Sequence, residues 1–220
     1  MDLALFDMDN TLLAGDSDYQ CGQFLIEEGL LDGDTHTACN DQFYQDYKDG
    51  KLDIFAFLEF QLKPLATHPR SQLDAWHTRY MVRKVRPMMT DKARALIEQH
   101  RAAGDLMVVI TATNSFVTRP IALEYGIENL IATEPEQVNG QYTGRVFGTP
   151  SFQQGKVTRL MEWLESQGKS LQSFGESWFY SDSHNDLPLM KLVSRPVAVD
   201  ADPQLTAFAK ANNWPLISLR

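Results

Sequence analysis

Cysteine is nearly missing: Cys21 and Cys39 are the only two in 220 residues. That excludes a disulfide-dense scaffold, and their spacing matches no zinc-ligand pattern, so both are expected as reduced packing residues. Basic side chains are in deficit as well, with 20 Lys and Arg against 29 Asp and Glu and a formal net charge of -9. A phosphate backbone needs a basic surface, which excludes nucleic acid as the main partner. No apolar run approaches membrane-spanning length, and the start has no basic segment leading into an apolar stretch and a cleavage site. A soluble, cytoplasmic protein with no membrane partner is the expectation. Histidine is sparse and scattered. His36, His68, His77 and His100 are expected at the surface or in packing, and His184, next to an acidic run, in a supporting or substrate-facing position.

What is present suits a globular α/β chain, since 43% hydrophobic residues can build a core. Four short apolar runs read as strands: "LALF" at 3–6, "LMVVIT" at 106–111, "WFYS" at 178–181 and "PVAVD" at 196–200. None alternates polar with apolar, as expected for strands covered on both faces of a parallel sheet. Helical patterns lie between them. Thr90 can cap a helix in which Ala93, Leu96, Ile97 and His100 share a face and Gly104 marks the end; Val157, Leu160, Met161 and Leu164 share a second helix face that stops near Gly168. The class is an open, mostly parallel Rossmann-like sheet with helices on both faces.

Residues 14–87 break that rhythm, being rich in helix formers and aromatics and punctuated by Pro64, Pro69 and Pro87. "FLIEEGLL" and "IFAFLEFQLKPL" read as amphipathic helices whose aromatics are core. A direct crossover needs far fewer residues, so 14–87 is expected to be a helical cap domain inserted into a core of 1–13 and 88–220. In "ATEPEQVNGQYTGRV", Asn139-Gly140 between strand-like runs signals a β-hairpin.

Ligands of open α/β sheets bind outside the carboxyl ends of the strands. Asp7, Asp9, Thr111, Asp182 and Asp186 all follow strand candidates. Four carboxylates on one rim repel one another unless a cation joins them, and hard oxygen donors without a Cys or His pattern point to Mg²⁺. Lys156, at a helix start, can add a compact positive charge. This set suggests phosphoryl transfer, with Asp7 attacking phosphorus and Asp9, two residues on along an extended backbone, acting as general acid and base. Taken singly, an Asp-x-Asp is more often a turn or cap, Thr111 a strand end and Lys156 a solvated helix residue. Their joint placement in one architecture favours the functional reading.

"FDMDNTL", the threonine of "VVITATN", Lys156 and "SDSHND", in this order, resemble the four signature motifs of the haloacid dehalogenase (HAD) superfamily of phosphatases. The insertion after the first motif is similar to the cap of the subgroup that contains phosphoserine phosphatases. The resemblance spans nearly the whole chain. It implies that the Asp7 carboxylate, the Asp9 carbonyl and the Asp182 carboxylate bind Mg²⁺, that Asp186 supports the metal's water shell, and that Thr111 and Lys156 hold the phosphoryl group. Ala112, Asn114 and Asn185, inside these motifs, are expected to contact the small phosphomonoester substrate.

Asp16 matches the position where phosphoserine phosphatases carry a glutamate for the substrate ammonium. Where they carry an arginine for the substrate carboxylate, "GKLDIFAFLEFQ" places Glu59. A carboxylate cannot clamp a carboxylate, so Asp16 and Glu59 suit a cationic substrate such as histidinol phosphate, in keeping with a resemblance to HAD-type histidinol-phosphatases. Phosphoserine or another small phosphorylated metabolite is the alternative. A phospho-receiver switch domain is the rival from another class. Such domains are shorter and lack a cap, and Asp9, placed to activate water, argues against a long-lived phosphate.

Overall fold

The structure, a computed structural model, describes all of residues 1–220. The chain opens with β1 (Leu3–Phe6), every residue of which is buried. Four helices follow: α1 (Ser17–Glu27), α2 (Gly33–Lys48), α3 (Ile54–Ala66) and α4 (Arg70–Tyr80). Next come α5 (Asp91–Ala103), β2 (Leu106–Asn114), α6 (Ser115–Glu124), β3 (Asn129–Val138), β4 (Gln141–Phe147) and α7 (Gln154–Ser166). The last third adds β5 (Ser177–Ser181), the short α8 (Leu187–Met190), β6 (Arg195–Val199), α9 (Pro203–Ala211) and β7 (Leu216–Ile217). The seven strands form one sheet in the order β4-β3-β2-β1-β5-β6-β7, parallel throughout except between β3 and β4. The helix series after β1 and the mostly parallel sheet match the expected class. No helix is long and apolar enough to cross a membrane.

Side chains of β1 alternate between two cores. Ala4 and Phe6 enter one with Ile97 of α5 and Ile121 of α6, while Leu3 and Leu5 enter the other with Leu160 and Leu164 of α7 and Leu205 of α9. The first core continues into the inserted helices through Phe24, Leu58, Leu62 and Tyr80. The chain leaves the sheet at Leu13 and returns at Met89, and an antiparallel bridge joins these two residues. Both helices expected around the sheet form as read. Thr90 Oγ1 caps α5 by accepting from Ala93 N–H at 3.1 Å, and Gly104 ends it in the left-handed region at φ 75°. In α7, Val157, Leu160 and Leu164 are buried.

Several elements differ from expectation. "FLIEEGLL" is not one helix, because Gly29 takes φ 72° and stops α1 two residues earlier. β3 is absent from the four-strand reading: its apolar part is only Leu130–Ala132, too short to register as a run, yet it pairs in parallel with β2 before turning into the hairpin. That hairpin is present, with Asn139 and Gly140 both at positive φ (50° and 77°), as a tight primed turn requires. Cys39 is exposed rather than packed, Cys21 is half-buried, and both are free. His36, His77 and His100 are buried.

α7 is held unusually close to the chain before it. An added Cβ at Gly155 would lie 2.0 Å from the Pro150 carbonyl oxygen. Gly155→Ala therefore forces backbone apart beside Lys156, and an expected cost of about 1–3 kcal/mol should appear as a lower urea midpoint at unchanged m-value.

Candidate active site

Register brings the sequence motifs to one edge. Phe6 pairs with Val109 on one side and Tyr180 on the other, so Asp7 is level with Ile110 and Ser181 at the carboxyl end of the sheet. Beyond Asp7 the chain makes a tight turn in which Asn10 adopts φ 57°, a conformation asparagine tolerates better than most side chains. Leu13 N–H closes the turn on the Met8 carbonyl at 2.9 Å. The Arg220 guanidinium braces it from outside, donating to the carbonyls of Asn10 at 2.6 Å and Leu13 at 3.1 Å. Pairing of β2 with β3 shifts between Ile110 and Asn114, which turns Thr111–Thr113 toward the same rim.

At the centre is the buried Lys156 ammonium, which donates to Asp7 Oδ1 at 2.8 Å and Asp186 Oδ2 at 2.7 Å. Ser181 Oγ also donates to Asp186 Oδ2, at 2.7 Å. Thr11 links the next acid: its hydroxyl accepts from Asp182 N–H at 3.0 Å and lies 3.2 Å from Asp182 Oδ1 and 3.4 Å from Asp7 Oδ2. Asp9 is held by Ser17 N–H at 2.6 Å and the Thr113 hydroxyl at 2.8 Å. Asp16 Oδ1 caps α1 by accepting from Tyr19 N–H at 2.9 Å.

Burial dominates the electrostatics. It raises Asp7 to about 7 against the pull of Lys156, with the charge of Asp186 adding to the rise. It raises Asp9 to about 7 as well, aided by the charge of Asp16. Asp182 is held well above the ordinary carboxylate range by burial and then by the charges of Asp7 and Asp186. For Lys156 burial works against the charged form, but Asp186 and Asp7 outweigh it and hold the ammonium above its usual value.

These groups face a cavity between the sheet edge and the inserted helices. Asp7, Asp9, Asp16, Asp18 and Asp186 line it, and Lys156 is its one cationic residue. Thr111 and Ala112 form part of the wall, as does Asn185, whose amide donates to the Tyr47 carbonyl at 3.1 Å and accepts from Gln153 Nε2 at 2.8 Å. Asp182 borders an adjoining cleft with Asn10 and Tyr47.

Two expected positions fall elsewhere. Glu59 is exposed: α3 turns Ile54, Phe57 and Gln61 to the cavity, and a residue two after Phe57 points away from that face. Asn114 is buried as the cap of α6, accepting from Val117 N–H at 3.2 Å, and does not line the cavity. His184 lines the adjoining cleft beside Asp182 in a supporting position, with Nδ1 2.8 Å from Asp202 Oδ2.

Residues 4–191 match the model of the haloacid dehalogenase-like hydrolases. The chain belongs to that family. It is 46% identical over 219 residues, 99% of each chain, to a histidinol-phosphatase of Neisseria meningitidis serogroup C (strain 8013). Among solved structures it is similar to a protein of unknown function from Bordetella pertussis Tohama I, at 48% identity and a TM-score of 0.93 over 100% of this chain and 99% of that one. A phospho-aspartyl intermediate analogue of phosphoserine phosphatase shares the fold, at 18% identity and a TM-score of 0.70 over 99% of this chain and 93% of that one.

For this HAD hydrolase, sequence reading missed Thr113, although two-residue alternation from Thr111 puts both on one side of an extended strand. It also missed Asp18 and the α2 aromatics Phe43, Tyr44 and Tyr47, and it assigned Phe57 to core; all of them line the cavity. No local signal separates a core aromatic from a cavity aromatic on an amphipathic helix.

The raised Asp7 predicts a pH dependence. A carboxylate whose folded pKa exceeds its unfolded value supports stability fully below the unfolded value and loses that support as pH rises through the folded one. Without divalent cations, Asp7→Asn should therefore gain in melting temperature relative to wild type as pH rises from about 4 to about 7. A constant difference across that range would refute it.

Proposed function

We propose that this HAD-family phosphatase is an Mg²⁺-dependent phosphomonoesterase that works through an aspartyl phosphate on Asp7 and takes histidinol phosphate as its substrate. The carrying observation is that one buried cavity joins Asp7 and Asp9 to a single cation, Lys156.

The donor set fits a hard divalent cation. Several carboxylates share one ammonium, Asp182 has no cationic partner, and Mg²⁺ favours one or two carboxylates plus waters over an all-protein cage. No group of three or more His, Cys, Asp or Glu side chains is gathered as a ready-made cage. The Asp7 and Asp182 carboxylates and the Asp9 carbonyl would hold the ion, with Asp186 hydrogen-bonding its waters. When bound, the ion would offset charge on the phosphoryl oxygens and favour ionised Asp7.

Asp7 attacks phosphorus as the bond to the leaving alcohol breaks, and Lys156 and the Thr111 hydroxyl orient the phosphoryl oxygens. Asp9 starts protonated, consistent with its elevation to about 7, and gives its proton to the leaving oxygen. Its carboxylate then takes a proton from water, whose oxygen attacks phosphorus, releasing phosphate and restoring Asp7. Thr113 and Ser17 N–H aim Asp9 for both transfers. Residues 14–87 serve as a cap over a core of 1–13 and 88–220, excluding bulk water.

Substrate choice rests on two supports. One is the extensive identity to a protein named histidinol-phosphatase. The other is the lining: apart from Lys156, which donates to Asp7 and Asp186 and is assigned to the phosphoryl group, no Lys or Arg lines the cavity to receive the carboxylate of phosphoserine. The acidic wall at Asp16 suits the ammonium of an amino alcohol.

With Mg²⁺, histidinol phosphate should be hydrolysed with kcat/KM at least about tenfold above phosphoserine, as expected when a buried charge finds or lacks its partner. Asp7→Asn should lower kcat at least about 10³-fold on every ester. Equal or reversed preference would reject the substrate, and an unimpaired Asp7→Asn would reject the mechanism.

A further inference from the structure

We infer that Asp18 is a specificity-determining carboxylate of the cavity, receiving, beside Asp16, the cationic nitrogen of the substrate's leaving group. The inference rests on the phosphatase reading for where the phosphate sits, and it assigns a role to a residue that no motif marks.

Asp18 lies in the first turn of α1, where a carboxylate normally satisfies a free backbone N–H. Here that work is already done: Asp16 accepts from Tyr19 N–H and Asp9 accepts from Ser17 N–H. The Asp18 side chain, 7% exposed, takes part in no hydrogen bond and no ion pair, yet it lines the cavity. Burial and the charges of Asp16 and Asp9 push it well above the ordinary carboxylate range, so the folded chain holds it at a cost. Lys156 cannot relieve that cost, being bonded to Asp7 and Asp186. A carboxylate left unsatisfied beside a cavity is complementary to a cation that arrives with the ligand.

Asn40, on α2, lines the same cavity, with its Oδ1 accepting from Gln61 Nε2 at 3.2 Å and its buried Nδ2 turned toward Gly22 of α1. Phe43, Tyr44 and Phe57 complete the wall, and aromatic faces attract organic cations. Acid, amide and aromatics together fit a small amino alcohol with a flat ring better than a simple anionic metabolite.

The test is Asp18→Asn, which keeps the shape and removes the charge. KM for histidinol phosphate should rise about tenfold or more, with kcat changed far less, and the loss in kcat/KM should exceed that on 4-nitrophenyl phosphate by about tenfold. Calorimetric titration with histidinol, which needs no turnover, should show Kd weakened about tenfold or more. The melting temperature should hold or rise, because an unpaired buried carboxylate is removed; should the amide not fold, Asp18→Ser serves in its place. Parallel losses on both esters, an unchanged histidinol Kd, or a wild type that takes up no histidinol would each overturn the inference. If wild type releases phosphate from neither ester yet binds histidinol with a Kd that Asp18→Asn weakens, histidinol phosphate fails as the substrate while Asp18 keeps its cation-binding role.

Discussion

The Lys156 ammonium between Asp7 and Asp186 is the contact on which the rest of the site depends. It joins the end of β1, the loop after β5 and the start of α7, three segments far apart in the chain, through hydrogen bonds of 2.8 and 2.7 Å with nearly all solvent removed. Burying three charges is tolerable only when each has partners, and removing one partner from such a group typically costs about 3–5 kcal/mol. The surroundings supply those partners. Ser181 donates to Asp186, Thr11 joins Asp7 to Asp182, and the close approach of Gly155 to Pro150 fixes where α7 begins.

One ammonium does not balance the acids gathered around it. The protein crowds aspartates into a cavity, and burial lifts Asp7, Asp9, Asp16, Asp18 and Asp182 above their ordinary pKa values. The stored cost is of the kind that functional sites carry and that a cationic ligand or metal can relieve. It divides by position. Asp7, Asp182 and Asp186 cluster around Lys156 and Thr11, suited to phosphoryl chemistry, whereas Asp16 and Asp18 open α1 under the inserted helices. Asp9 belongs to both groups, since Ser17 N–H at the start of α1 holds the carboxylate that moves the proton. Leaving-group recognition and acid catalysis therefore share one helix end.

Much of this was legible where the cause is local. Thr90 and Gly104 bound α5 because capping and left-handed backbone depend on a few adjacent residues. Asn139-Gly140 makes its turn for the same reason. Asp7, Asp9, Thr111, Lys156 and Asp186 gather at one rim because parallel pairing around β1 aligns the strand ends. Errors arose where facing decides. The motif position points to Glu59 on α3, but Gln61 is the residue that turns inward. Asn114 looked like a substrate contact because it lies inside the motif that carries Thr111, yet its oxygen caps α6.

Short-range patterning in the amino-acid order thus determined the class of sheet, the insertion after β1 and the chemistry gathered at the strand ends, because hydrophobic period, capping and strand polarity act over a few residues. Tertiary structure alone decided that Asp18 has no partner, that the aromatics of α2 and α3 line a cavity and that Arg220 braces the turn carrying Asp9. Those outcomes depend on which helix faces which strand end, and that is a product of packing across the whole chain.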